Sequence, residues 1–165
     1  MIAYRLATPD DIPFVVSSWV ESYRDSHSAG MISMDRWEDV MVPEVQRVLS
    51  RPGVSIHVAY HPGETDARSD IYGWLAVERD FEVPEKVQIR GRWERRLVKS
   101  EAPLLHYLYV KNVYRLSGVA RGLFKTAGID PSKRFYFTCR TGVVKKLEGK
   151  VPQAEWSPLI ARFSK

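Results

Sequence analysis

The residues best equipped for chemistry lie between His106 and Phe124, in the run His106-Tyr-Leu-Tyr-Val-Lys-Asn-Val-Tyr-Arg-Leu-Ser-Gly-Val-Ala-Arg-Gly-Leu-Phe124. His106 offers an imidazole whose ordinary pKa of about 6.5 suits proton transfer near neutral pH. Further on, Arg115-x-x-Gly118-x-Ala120 has the make-up of an anion-binding turn. A helix N-terminus presents unpaired backbone N–H groups and about half a positive charge, so a turn exposing them attracts a pyrophosphate. The donors here would be the amides of Leu116, Ser117, Gly118, Val119, Ala120 and Arg121, with Arg115 adding a cation. Gly118 lets the backbone come close to an oxygen. The glycine order is neither the G-x-G-x-x-G of dinucleotide folds nor a P-loop ending in G-K-[ST]. Two bland readings stand beside these: a glycine that serves only a strand-to-helix turn, and a His106 hydrogen-bonded within a sheet.

Such a site needs a strand, a turn and a helix in that order, and the hydrophobic pattern supplies them. Leu104 to Val110 reads as a buried strand and Val119 to Ala127 as a helix. Upstream, Tyr4 to Leu6 is a short strand candidate. Thr8-Pro9-Asp10-Asp11 then starts a helix, with Thr8 as N-cap, Pro9 first and acids in the first turn. Ile12, Val15, Val16, Trp19, Val20 and Tyr23 follow at helical spacing, and this helix is expected to end between Ser26 and Gly30. A second helical stretch runs from Ser33 to Leu49, where Pro43 predicts a kink or a division into two short helices. Val54 to Tyr60 and Ile71 to Glu78 form a hairpin across the polar turn from His61 to Asp70, and a last strand covers Arg134 to Thr138.

Leu108-Tyr109-Val110, Tyr114, Arg115, Gly118 and Ala120 together resemble the acyl-CoA-binding signature of the GNAT acyltransferase superfamily, L-Y-V-x-P-x-Y-R-G-x-G-x-G/A. The element order and the opening Tyr4-Arg-Leu-Ala-Thr-Pro-Asp-Asp11 resemble that family too, over roughly residues 2 to 140. Compact proteins of this kind also occur in phage genomes. The resemblance implies an α/β fold in a single domain spanning 1–165, with a mixed, mostly antiparallel sheet flanked by helices. It further implies direct transfer of an acyl group, most simply acetyl from acetyl-CoA or another acyl-CoA, to an amine. Main-chain groups of Tyr109, Val110 and Lys111 would pair with the pantetheine arm, and Trp19, Tyr23 and Arg24 would line an acceptor pocket between the first two helices. Trp19 and Tyr23 also sit on an apolar helical stripe, where core packing is the competing role.

His106 stands where some members carry the histidine of H-x-L-x-V, and it is the candidate general base. The family's usual glutamate on this strand is replaced by Leu104 and Leu105. The asparagine and later tyrosine that follow the fifth strand in the family, the tyrosine as general acid, have no counterpart in the basic segment Val143 to Lys150. Cys139 and Tyr107, Tyr109, Tyr114 and Tyr136 are the remaining proton donors, and none stands out.

Composition bounds the rest. A 44% hydrophobic fraction with five Trp, eight Tyr and six Phe excludes a largely disordered chain. No apolar run approaches the roughly 18 residues a membrane span needs, and the N-terminus lacks a signal-peptide pattern, so a cytoplasmic protein is expected. One cysteine forms no internal disulfide, and His27, His57, His61 and His106 show no metal-ligand spacing.

The segment from Phe81 to Pro103 reads as a basic insertion. From Lys86 to Lys99 it holds Lys86, Arg90, Arg92, Arg95, Arg96 and Lys99 against Glu94 alone, an excess of +5 that equals the formal net charge of the whole chain. With Trp93 interleaved, residues 86–99 fit a ribbon that contacts nucleic acid or an acidic partner; a solvated surface loop fits them as well. A second function class therefore stands beside the acyltransferase, a catalytically silent binding module of the same fold that works through this insertion.

Overall fold

The computed structural model describes residues 1–26, 30, 32–63, 71–139, 141 and 151–157. Strand β1 (Ala3–Leu6) leads into a 3-10 turn (Pro9–Asp11) and helix α1 (Ile12–Ser22). Asp11 fixes this junction. Its buried carboxylate accepts the Thr8 amide at 2.6 Å and the Thr8 hydroxyl at 3.0 Å, and Arg5 Nη2 approaches at 3.0 Å. Beyond α1 a 3-10 turn covers Tyr23–Asp25, so the helix stops short of the expected Ser26.

Helix α2 (Trp37–Leu49) follows a 3-10 turn over Met34–Arg36. It runs as one helix through Pro43, against the expected division into two. Pro43 is exposed while Met41, Val45 and Val48 are buried, so the carbonyl that loses its donor lies on the solvent face, where water can satisfy it.

The chain then builds β2 (Val54–Tyr60), β3 (Ile71–Glu78), β4 (Glu82–Ile89), β5 (Arg92–Lys99) and β6 (Leu104–Val110). Helix α3 (Val119–Thr126) and the short strands β7 (Phe135–Phe137) and β8 (Ala154–Trp156) complete it. Six strands form one sheet in the order β1-β2-β3-β6-β7-β8, while β4 and β5 pair only with each other. The pairs β1–β2, β2–β3 and β3–β6 are antiparallel, and β6–β7 and β7–β8 are parallel. Strand β8 escaped the sequence reading, since Ala-Glu-Trp is too short to show a period. The segment Val143 to Lys150 lies outside the described residues, as do residues 64–70 of the β2–β3 turn.

Each face of the sheet is covered by helices. On one, α1 and α2 pack over an aromatic layer in which Trp19 stacks on Tyr107 at 4.9 Å between ring centres and Trp74 lies 5.6 Å from both. The indole N–H groups buried there find partners: Trp74 donates to Ser18 Oγ and Trp37 to the Val20 carbonyl, each at 2.9 Å. On the other face, α3 presses Val119 and Leu123 against Leu75, Val77, Leu105 and Phe137. Gly73 makes room for this approach: a Cβ there would meet the Tyr109 carbonyl at 2.6 Å and Val119 at 3.1 Å. Among the described residues no helix is long and apolar enough to cross a membrane.

Candidate active site

Strands β6 and β7 part company almost at once. Their parallel register holds only at Leu104–Tyr136 and Leu105–Phe137, with the Thr138 amide bonded to the Leu105 carbonyl at 3.1 Å. Past Leu105 the two strands diverge and leave a cleft. The Lys111 amide donates to the Tyr72 carbonyl at 2.9 Å, which makes that opposed pair a hydrogen-bonded one. Antiparallel alternation then spends the main chains of Tyr109 and Tyr107 on β3 and turns those of Leu108 and Val110 the other way, into the cleft. Among the described residues no main-chain bond joins Leu108 or Val110 to β7. Half-buried main-chain groups left without a strand neighbour call for partners, and an extended chain bearing amides can supply them.

At the far end of β6, a 3-10 turn (Asn112–Tyr114) is clamped to the sheet by the stacking of Tyr114 on Tyr72, 4.1 Å between ring centres. The chain then runs through Arg115 to Ser117, all exposed, to Gly118, the N-cap of α3, with φ 85°. Gly122 is the first residue of α3 whose amide bonds back, to the Gly118 carbonyl at 3.0 Å. The amides of Val119, Ala120 and Arg121 thus have no helical partner, and no side chain caps them. A Cβ built on Gly118 meets nothing within 4 Å, so the space in front of the turn is open. Leu116 stands where the family signature has glycine; its φ is 69° and its side chain is fully exposed. The turn demands a left-handed residue there, and this chain meets that demand with a leucine.

The cleft leads to an apolar cavity of about 100 Å³ bordered by Leu105, His106, Tyr107, Phe124, Phe137 and Cys139 among others. His106 occupies a bulge, because the register with β3 shifts between Ala76 and Val77 so that Tyr107 and Leu105 take consecutive partners. It is 1% exposed, and its Nε2 lies 2.6 Å from Glu78 Oε2. Glu78 also accepts Arg51 Nη1 at 3.1 Å, and both of those side chains are buried as well. Burial opposes the charge on Glu78, yet the bonds from His106 and Arg51 together outweigh it and hold the carboxyl below its ordinary range. Burial likewise pushes His106 below its ordinary pKa, with Glu78 pulling partly the other way. The resulting arrangement is a neutral imidazole whose Nε2–H is given to a carboxylate, leaving Nδ1 as the acceptor. Glu78 and Arg51 escaped the sequence reading, because nothing in the spacing of residues 51, 78 and 106 announces that they meet.

The other candidates are dispersed. Trp19 is 3% exposed inside the aromatic layer, and Tyr23 stands edge-on to Tyr107 with ring centres 6.0 Å apart. Arg24 pairs with Glu38 through Nη2 at 2.8 Å, while its buried Nε has no partner among the described residues. Lys111 places Nζ 5.2 Å above the Phe14 ring. Burial pushes the Cys139 thiol up to about 11, so it stays protonated at neutral pH. Tyr107, also raised by burial, shares a 2.9 Å hydrogen bond with Ser22.

Among solved structures, the chain is similar to a histone acetyltransferase HPA2 and related acetyltransferase from Corynebacterium glutamicum, at 16% identity and a TM-score of 0.56 over 90% of this chain and 82% of that one. It is similar also to an acetyltransferase from Vibrio fischeri, at 18% identity and a TM-score of 0.47 over 82% and 93% of the two chains. A third similar structure is the PaiA N-acetyltransferase of Thermoplasma acidophilum in complex with coenzyme A, at 16%, 0.45, 78% and 70% in the same order. No protein-family model matches the sequence, and no curated protein sequence matches it significantly. The fold, a mixed six-stranded sheet flanked by helices, matches the GNAT fold.

Proposed function

We propose that this protein is an acyl-CoA-dependent N-acyltransferase that places an acetyl group on an amine. The observation that carries this reading is the divergence of β6 from β7, which turns the main chains of Leu108 and Val110 into a cleft. Beyond the end of β6 stand the open turn at Gly118 and the unpaired amides of α3. These residues fit acyl-CoA. Leu108 and Val110 would hold the amides of the pantetheine arm; the amides of residues 116–121 and the exposed Arg115 and Arg121 would hold the pyrophosphate. The Corynebacterium protein of like fold is itself described as an acetyltransferase.

Bound there, acyl-CoA would supply the reactive thioester. The apolar cavity of about 100 Å³ favours a short acyl group, being smaller than the ~150 Å³ cavity that admits benzene. As the amine nitrogen bonds to the thioester carbon, His106 Nδ1 would take its proton, and the C–S bond would break to release CoA thiolate, to which the imidazolium returns that proton; Glu78 would fix the tautomer and stabilise the imidazolium between the two transfers. Tyr23 and Arg24, at the C-terminal end of α1, remain the proposed acceptor contacts, with Trp19 behind them.

Calorimetry with acetyl-CoA tests the reading. The parent protein is expected to bind it. Gly118→Asn, which tolerates the left-handed backbone but fills the open space before the turn, is expected to weaken binding about tenfold or more with little change in melting temperature. Folded protein that fails to bind at millimolar acetyl-CoA overturns the proposal.

A further inference from the structure

We propose that one face of the β4–β5 hairpin is a docking surface for single-stranded nucleic acid. The hairpin is a sheet of its own, closed by a two-residue turn at Arg90 (φ 48°) and Gly91 (φ 80°). Only its root is anchored, with Val83 buried and Val98 half-buried against Phe81, Leu104 and Tyr136. Beyond that root it stands in solvent, and its residues 86–99 carry a charge excess equal to that of the entire chain. The formal charges outside residues 86–99 cancel, so the protein's net attraction for polyanions centres on this stretch of the ribbon.

The register divides those charges. Ile89–Arg92, Val87–Glu94, Glu85–Arg96 and Val83–Val98 are opposed pairs on the face that begins at the root. There Arg96 has a carboxylate opposite it and a second, Glu94, at 3.8 Å. The opposite face carries Gln88–Trp93, Lys86–Arg95, Pro84–Leu97 and Glu82–Lys99. Lys86 and Arg95 face each other directly, and among the described residues no carboxylate pairs with either. Like charges opposed across a hairpin cost stability, and an anion laid over them reverses that cost. Trp93 and Leu97 flank this cation pair, 69% and 50% exposed.

A cation pair bracketed by an exposed indole matches a strand of phosphates whose unpaired bases are free to stack. A duplex hides those base faces, and an acidic peptide gives the indole nothing to stack on. The sequence placed the cations of residues 86–99 together in one ribbon; the register sets Lys86 and Arg95 on the docking face and Arg92 and Arg96 on its reverse.

Fluorescence anisotropy with a labelled dT oligonucleotide of about fifteen residues tests this on the full chain. The parent is expected to bind. The Lys86→Ala, Arg95→Ala double variant is expected to lose at least about tenfold in affinity, with a log–log salt slope shallower by about 1.4. Trp93→Ala should lose about tenfold through stacking. The Arg92→Ala, Arg96→Ala double variant removes the same charge from the other face and should stay within about threefold of the parent. All variants should keep the parental melting temperature and acetyl-CoA affinity, which separates this surface from the cleft. Equal losses in the two double variants overturn the proposal in favour of net charge alone. Polyglutamate competing as well as the oligonucleotide overturns it in favour of an acidic protein partner, and a parent that does not bind overturns it outright.

Discussion

At the scale of single residues, the chemistry proposed for the cleft rests on His106 and Glu78. A general base must be neutral to accept a proton, so kcat/KM is expected to rise with pH through the imidazole pKa. That pKa is pushed down by burial, so the enzyme should already be at its plateau at neutral pH and lose activity on acidification. His106→Gln keeps a polar side chain without the titrating group. It should bind acetyl-CoA normally, lose about 10²-fold in kcat and lose the acid limb of the profile. Glu78→Gln retains the imidazole but not its carboxylate partner; its acid limb should move to lower pH and its kcat fall, with the KM for acetyl-CoA unchanged. Near-parental turnover with an unaltered profile in both variants would make the pair structural. The same shifts bear on stability. A histidine held below its unfolded pKa, and a carboxylate held below its own, both favour the fold at neutral pH, and both contributions fade as pH falls.

At the scale of elements, the turn between β6 and α3 holds a conflict between conformation and residue type. Leu116 and Gly118 both adopt positive φ, but only Gly118 does so without a steric cost. Leu116→Gly should therefore stabilise the protein by about 0.5 kcal/mol, the left-handed penalty relieved less the added entropy of the unfolded chain. Chemical denaturation should show a higher midpoint at constant m-value. A lower midpoint would mean that the exposed leucine side chain makes contacts that offset its backbone cost. The β6–β3 pairing illustrates the same interplay: a one-residue bulge puts His106 beside Glu78, where an unbroken alternation would have set its side chain on the α3 face with Leu108.

At the scale of the whole molecule, the proposed cofactor would bridge strands that the protein itself leaves apart. Strand β7 contacts β6 over two residue pairs, and β8 holds to β7 over three. A ligand that binds only the folded state adds about 2.7 kcal/mol at a hundred times its dissociation constant. For a chain of this size that is a rise of about 5–10 °C in melting temperature. Differential scanning fluorimetry with acetyl-CoA against a free-amine control checks it, and no rise at saturating ligand would contradict the proposed cleft.

The sequence by itself determined most of the elements and the place of the turn. Their signals are local: helical spacing from Ile12 to Tyr23, the apolar run Leu104 to Val110, and the glycine at the start of α3. The open helix start at Gly118, on which the proposed anion site rests, was legible for the same reason. Pro43 did not divide α2, because a proline's cost depends on which face it occupies, a matter of what packs against α2. Tertiary structure alone brought Arg51, Glu78 and His106 together, buried, from an α2–β2 connection, the end of β3 and a bulge in β6. It alone sorted the cations of the hairpin onto opposite faces, because facing follows from strand register, and register is fixed by the turn at Arg90–Gly91 and by the buried root at Val83.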